Sequence, residues 1–228
     1  MTYKTLLFDI DDTLLDFQAA EKQALVSLFE HLKLPLSAEN YAYYHELNAH
    51  LWQQFERGQI TKPELLVRRF SGLFEHMGNT ELDGGEVELQ YRHYLSLGHQ
   101  QMPNATKLLA NLSQQHQLYV VTNGVAKTQE RRLSEADFNR YFQQVFISEQ
   151  IGAQKPEPAF FEHVAGAIED FDKDKALVIG DSLSSDIKGA NGFGLDSVWF
   201  NPTHKANDGV AKPTYEIDQL LELESIVA

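Results

Sequence analysis

Five short runs rich in leucine, β-branched and aromatic side chains occupy positions 4–8, 118–121, 145–148, 176–179 and 196–200, and helical patterns at 105–115, 128–136 and 159–168 lie between the later ones. A strand that gives way to a helix before the next strand begins cannot close a tight hairpin. It must cross back over the sheet, and the crossover makes neighbouring strands parallel. The alternation therefore predicts an α/β fold, a Rossmann-like three-layer core whose mainly parallel sheet is covered by helices on both faces.

Positions 18–97 depart from this pattern. Ala24, Leu25, Leu28, Phe29 and Leu32 recur at helical spacing, as do Tyr44, Leu47, Leu51 and Phe55. Gly58, Gly78 and the pair Gly84-Gly85 punctuate the helices, and Thr61 followed by Pro63 reads as a helix start. Met102-Pro103-Asn104 marks the return to the core. The expected division is an α/β core of 1–16 with 99–228, and a helical insertion of 17–98.

The chain has 228 residues, 43% of them hydrophobic, enough to bury a sizeable core. Its 33 acidic and 19 basic side chains give a formal net charge of −14. That excess repels phosphate backbones and anionic lipid surfaces, which excludes a nucleic-acid polymer and a membrane as expected partners and leaves a small molecule. With no cysteine, disulfides, thiolate zinc sites and thiol nucleophiles are excluded. The apolar run Leu6-Leu7-Phe8 is too short for a signal peptide and no stretch approaches the roughly 20 apolar residues of a membrane span. A cytoplasmic monomer or weak homodimer is expected.

Chemistry concentrates where the strand-like runs end. Asp9-Ile10-Asp11-Asp12-Thr13 follows the first run, and three carboxylates within four positions repel one another unless a cation or shared protons relieve them. Along an extended segment Asp9 and Asp11 point the same way, an arrangement suited to a nucleophile beside a general acid. Asp12 reads as a turn or helix-cap residue. Gly180-Asp181 closes the fourth run with Asp186 shortly after, and with Asp9 these offer the hard oxygen ligands that Mg²⁺ takes. Thr122-Asn123-Gly124 ends the second run with a hydroxyl, an amide and flexible backbone N–H groups suited to a phosphate, and Lys155-Pro156 supplies a positive point charge.

In order and separation these four stretches resemble the signature motifs of the haloacid dehalogenase (HAD) superfamily: D-x-D-x-T after an apolar strand, a strand ending in Ser or Thr, a Lys before Pro, and a strand ending in G-D-x-x-x-x-D. The resemblance implies a Mg²⁺-dependent phosphomonoester hydrolase. Asp9 would attack phosphorus and form an aspartyl-phosphate, while Asp11 would protonate the leaving oxygen and later activate water. Thr122, Asn123, Gly124 and Lys155 would bind the phosphate, with Thr122 and Lys155 also catalytic. Asp9, the Asp11 carbonyl, Asp181 and Asp186 would serve the metal, Asp186 as a ligand or through water.

The insertion resembles the helical cap of the first cap class in this superfamily, which closes over small substrates. Asn48, Leu51-Trp52, Gly58-Gln59-Ile60-Thr61, Arg69-Phe70, Val121-Thr122-Asn123-Gly124, Ile147-Ser148-Glu149 and Gly180-Asp181-Ser182 resemble the YjjG-type branch of 5′-nucleotidases, which act on pyrimidine and noncanonical nucleoside monophosphates. Alternatives are a phosphatase for phosphoglycolate or a sugar phosphate, a phosphosugar mutase, and a non-catalytic binding module. Dehalogenation needs one motif Asp and no metal, so Asp11 and Asp181 count against it. Trp52 and Phe55, three apart on one helix, suit core packing or a nucleobase stack, and Arg69 suits substrate contact or a salt bridge. Gly189 to Gly194 is not a G-x-G-x-x-G loop and reads as a helix end.

Overall fold

The computed structural model describes residues 3–207 and 209–228. The chain divides into Met1–Phe17 with His99–Ala228, and Gln18–Gly98. After strand β1 (Thr5–Phe8) come helices α1 (Phe17–Leu32), α2 (Ala38–Glu56), α3 (Lys62–His76), α4 (Gly84–Leu95) and α5 (Ala105–Leu112). The chain continues through β2 (Gln117–Thr122), α6 (Ala126–Glu135), β3 (Gln144–Ile147), α7 (Ser148–Ile151), α8 (Pro158–Ala167) and β4 (Ala176–Gly180). Last come α9 (Lys188–Phe193), β5 (Asp196–Phe200), β6 (Tyr215–Ile217) and α10 (Leu223–Val227).

The sheet runs β3-β2-β1-β4-β5-β6, and every neighbouring pair is parallel. All four residues of β1 are buried because the strand is covered on both faces. Its alternate side chains enter different cores. Leu6 and Phe8 join Leu108, Leu109 and Leu112 of α5 and Leu223 of α10, whereas Leu7 joins Phe160, Phe161 and Val164 of α8. The period of two thus builds three layers, and each fully buried leucine contributes about 1.5–3 kcal/mol.

One strand is absent from the sequence reading, and the glycine-rich segment 189–194 ends a helix as expected. β6 was not anticipated: only Ile217 of its three residues is buried, so it carries no apolar run. Gly189 and Gly192 lie inside α9, and Gly194, at φ 80°, ends it. A Cβ on residue 189 would collide with the Phe161 ring, so the glycine lets α9 pack closely on α8.

The helical unit follows its start signals. Ser37 caps α2 by accepting the Asn40 N–H at 3.1 Å, and Thr61 and Glu64 form a reciprocal capping box on α3. Asp83 caps α4 through the N–H groups of Gly85 and Glu86, both at 2.9 Å. The unit's interior is aromatic, with Tyr44, Phe70, Phe74 and Tyr91 in contact. Arg69 is buried there, paired with Glu88 through Nε and Nη2 at 2.8 Å each, and its guanidinium lies 4.6 Å from the Tyr91 ring centre. Phe55 is buried and Trp52 half-buried against it, edge to face at 5.7 Å. Among the described residues no helix is long and apolar enough to cross a membrane.

Candidate active site

The sheet order reverses between β1 and β4: the chain moves outward from β1 to β2 and β3 on one side, and from β4 to β5 and β6 on the other. Connections diverge at such a point and leave a crevice at the carboxyl ends of the strands. Asp9 follows β1 there, and Asp181 follows Gly180 of β4.

Lys155 ties the site together. Its ammonium donates to Asp9 Oδ1 at 2.6 Å, Asp186 Oδ1 at 2.7 Å and the Val121 carbonyl at 2.7 Å, which uses all three of its N–H donors. The side chain is 1% exposed. Asp186 reaches this position from a turn over Leu183–Ile187, and its Oδ2 accepts the Ser182 N–H at 3.1 Å. Asp9, Asp181 and Asp186 each offer an oxygen within 4.8 Å of the others, a set that could hold a metal ion.

Burial and crowding set the charges. Burial pushes the Asp9 carboxyl up to about 8; the Lys155 ammonium opposes this, and Asp186 and Asp11 add to it. Asp181 is raised well above the usual carboxylate range by burial and by Asp9 and Asp186. Burial alone would lower Lys155, but Asp186 and Asp9 more than offset it and hold the ammonium above the usual lysine range. Asp9 and Asp181 thus relieve the crowding by holding protons, which a dication would displace. The Trp199 indole N–H meanwhile fixes the main chain at Asp181 by donating to its carbonyl at 2.8 Å.

Thr122 ends β2 with its hydroxyl oxygen accepting two hydrogen bonds, from the Gly124 N–H at 3.0 Å and Gln129 Nε2 at 3.1 Å. The Asn123 side chain binds the main chain of Lys155 twice, donating to its carbonyl at 2.8 Å and accepting its N–H at 2.9 Å. Asn123 therefore anchors the lysine loop. Asp11 Oδ2 accepts from Gln129 Nε2 at 2.7 Å, and Oδ1 pairs with Arg132 Nη1. Asp12, at φ 56°, accepts the Phe17 N–H at 3.0 Å and so caps α1.

Gln129 and Arg132 are the site residues that the sequence reading missed. The only signal available was a glutamine and an arginine one helical turn apart on α6, on the side that also carries Leu133. On a surface helix the same spacing is unremarkable.

The haloacid dehalogenase-like hydrolase model matches residues 3–194 of the chain. The chain belongs to the haloacid dehalogenase-like hydrolase family. Within this family it is 46% identical to the HAD-hydrolase YfnB of Bacillus subtilis, over 99% of this chain and 95% of that protein. It is 44% identical to the pyrimidine 5′-nucleotidase PynA of Streptococcus pneumoniae, over 95% of this chain and 92% of PynA. The magnesium-bound crystal structure of YfnB superposes with a TM-score of 0.95 at 45% identity, covering all of this chain and 99% of that one.

Proposed function

We propose that this HAD hydrolase is a Mg²⁺-dependent nucleoside 5′-monophosphate phosphatase, working in the cytoplasm as a monomer or weak homodimer. The observation that carries the reading is the cluster of Asp9, Asp181 and Asp186 around one saturated lysine. Its crowded carboxylates and hard oxygen donors suit a dication, and its nucleophile candidate is a carboxylate held at a strand end. The nucleotide substrate rests on similarity to PynA along nearly the whole chain.

Asp9, Asp181 and Asp186 would hold Mg²⁺, with the Asp11 carbonyl, and the ion would offset the repulsion between carboxylate and phosphate. That repulsion is about 4 kcal/mol per unit-charge pair at roughly 4 Å and an effective dielectric near 20. Asp9, oriented through Oδ1 by Lys155, attacks phosphorus. The ester P–O bond breaks, its electron pair stays on the leaving oxygen, and Asp11 gives that oxygen a proton. Water then attacks the aspartyl-phosphate while Asp11 takes a proton from it. Thr122 accepts from two groups and so turns its own hydroxyl proton outward, toward a phosphoryl oxygen. Lys155 has no donor to spare and acts on the phosphate through its charge. The helical unit of 17–98 serves as the cap that selects substrates.

Phosphate release from a panel of nucleoside monophosphates, phosphoglycolate and sugar phosphates, with and without Mg²⁺, tests this. Pyrimidine nucleotides are expected to lead, with release lost on chelation and restored by Mg²⁺. Full activity in metal-free buffer overturns the mechanism, and fast turnover of a sugar phosphate beside slow nucleotide hydrolysis overturns the substrate.

A further inference from the structure

We infer that Gln129 and Arg132 of α6 are positioning residues that set two parts of the site at once, the place of the Asp11 carboxylate and the donor direction of the Thr122 hydroxyl. The inference rests on the phosphatase reading and extends it to residues that act through Asp11 and Thr122.

The direction of each hydrogen bond follows from chemistry. A guanidinium only donates, so the Gln129 atom facing Arg132 Nη1 at 3.1 Å must be the carbonyl Oε1. This fixes the amide orientation and turns Nε2 toward Asp11 Oδ2 at 2.7 Å and Thr122 Oγ1 at 3.1 Å. One NH₂ group has two hydrogens, and each is used. With the Gly124 N–H at 3.0 Å also donating to Thr122, both acceptor positions of that hydroxyl are filled and its proton must point elsewhere. Asp11 meanwhile accepts one bond at each oxygen, from Arg132 at Oδ1 and Gln129 at Oδ2, which leaves a second lone pair on each for the proton it transfers.

The pair is built in, not draped over the surface. Arg132 is 0% exposed and Gln129 1%. A fully buried guanidinium is costly unless a carboxylate balances it, and Asp11 is that carboxylate. A Cβ on residue 124 would come within 2.5 Å of Gln129 Nε2 and 2.6 Å of its Cδ, so the glycine is the residue that lets the amide sit here. The consequence is a relay of fixed polarity from Arg132 through Gln129 to Thr122, with Asp11 held beside it.

If Arg132 positions the general acid, its loss must matter most where the leaving oxygen needs a proton. The ribose oxygen of uridine 5′-monophosphate does, whereas p-nitrophenolate departs without one. The quantity to compare is kcat/KM with Mg²⁺ present, because it reads the steps through transfer to Asp9. Arg132→Met is expected to lower it about 100-fold for uridine 5′-monophosphate and by no more than about threefold for p-nitrophenyl phosphate. Gln129→Glu would put an acceptor against Thr122, so inhibition by inorganic phosphate should weaken about tenfold or more. Should the methionine variant fail to fold, Arg132→Lys keeps the charge without the fork and should show the same selective loss, smaller in size. Equal losses on both substrates, or unchanged phosphate inhibition in Gln129→Glu, overturn the inference. Wild-type protein that hydrolyses neither substrate overturns the phosphatase reading instead.

Discussion

The carboxylate of Asp186 occupies the space in which residue 180 would carry a Cβ. Gly180 is therefore required by a side chain six positions later, and the same carboxylate accepts from Lys155 at 2.7 Å. Strand end, turn and lysine are locked into one arrangement.

Gly180→Ala should push Asp186 off Lys155. The expected cost is about 1–3 kcal/mol of stability, with kcat lowered at least about tenfold. Thermal unfolding and steady-state kinetics measure the two, and a variant with unchanged Tm and kcat would contradict the packing described.

Asp9→Asn removes the nucleophile while keeping the shape of the side chain. Turnover should fall by about a thousandfold or more. Circular dichroism should stay native, since the change also relieves the crowding of Asp9 with Asp181 and Asp186. Residual turnover near the wild-type rate would exclude Asp9 as the attacking group.

Acid and metal should compete at the cluster. Asp9 is ordinarily ionised above 3.8 but is pushed up to about 8 in the fold, first by burial. Between those limits the folded chain keeps a proton that the unfolded chain has released, so this group's contribution to stability is full below 3.8 and is lost as pH rises toward 8. Metal binding needs the ionised form. The metal-free protein should thus lose Tm between about pH 5 and about pH 8, less steeply in Asp9→Asn, and saturating Mg²⁺ should raise Tm more at the higher pH. A Mg²⁺ shift of the same size at both ends of the range would refute this linkage.

Arg69→Ala should act on stability and not on chemistry. It removes the partner at 2.8 Å and leaves Glu88 with Arg92 Nε at 3.1 Å, a loss of about 1–3 kcal/mol. Pairing it with Glu88→Gln should recover part of that loss, as urea unfolding of the single and double variants would report. A change in substrate preference without a change in stability would assign Arg69 to substrate contact.

The layered core was legible because its cause is local. A four-residue strand such as β1, buried on both faces, reads as a nearly continuous apolar run, here Leu6-Leu7-Phe8 after Thr5, and a helix has to intervene before a parallel neighbour can form. Asp9, Thr122 and Asp181 could be singled out because a polar group at the end of such a run lies at the crevice. β6 stayed hidden, since one buried side chain in a three-residue edge strand leaves no pattern. Gln129 and Arg132 stayed hidden too: an arginine buried against Asp11, 121 positions away, reads in sequence like one in solvent.

The sequence alone thus determined strands β1 to β5, their parallel arrangement and the carboxylate-rich strand ends, all of which depend on spacing along the chain. Tertiary structure decided the partners. It spent all three Lys155 donors on Asp9, Asp186 and Val121, turned Asn123 to the lysine loop, and placed Gln129 between Asp11 and Thr122. Donors and acceptors are assigned by proximity in a low-dielectric interior, where a buried polar group left unpaired is expensive. That proximity exists only once the sheet has brought distant strand ends side by side.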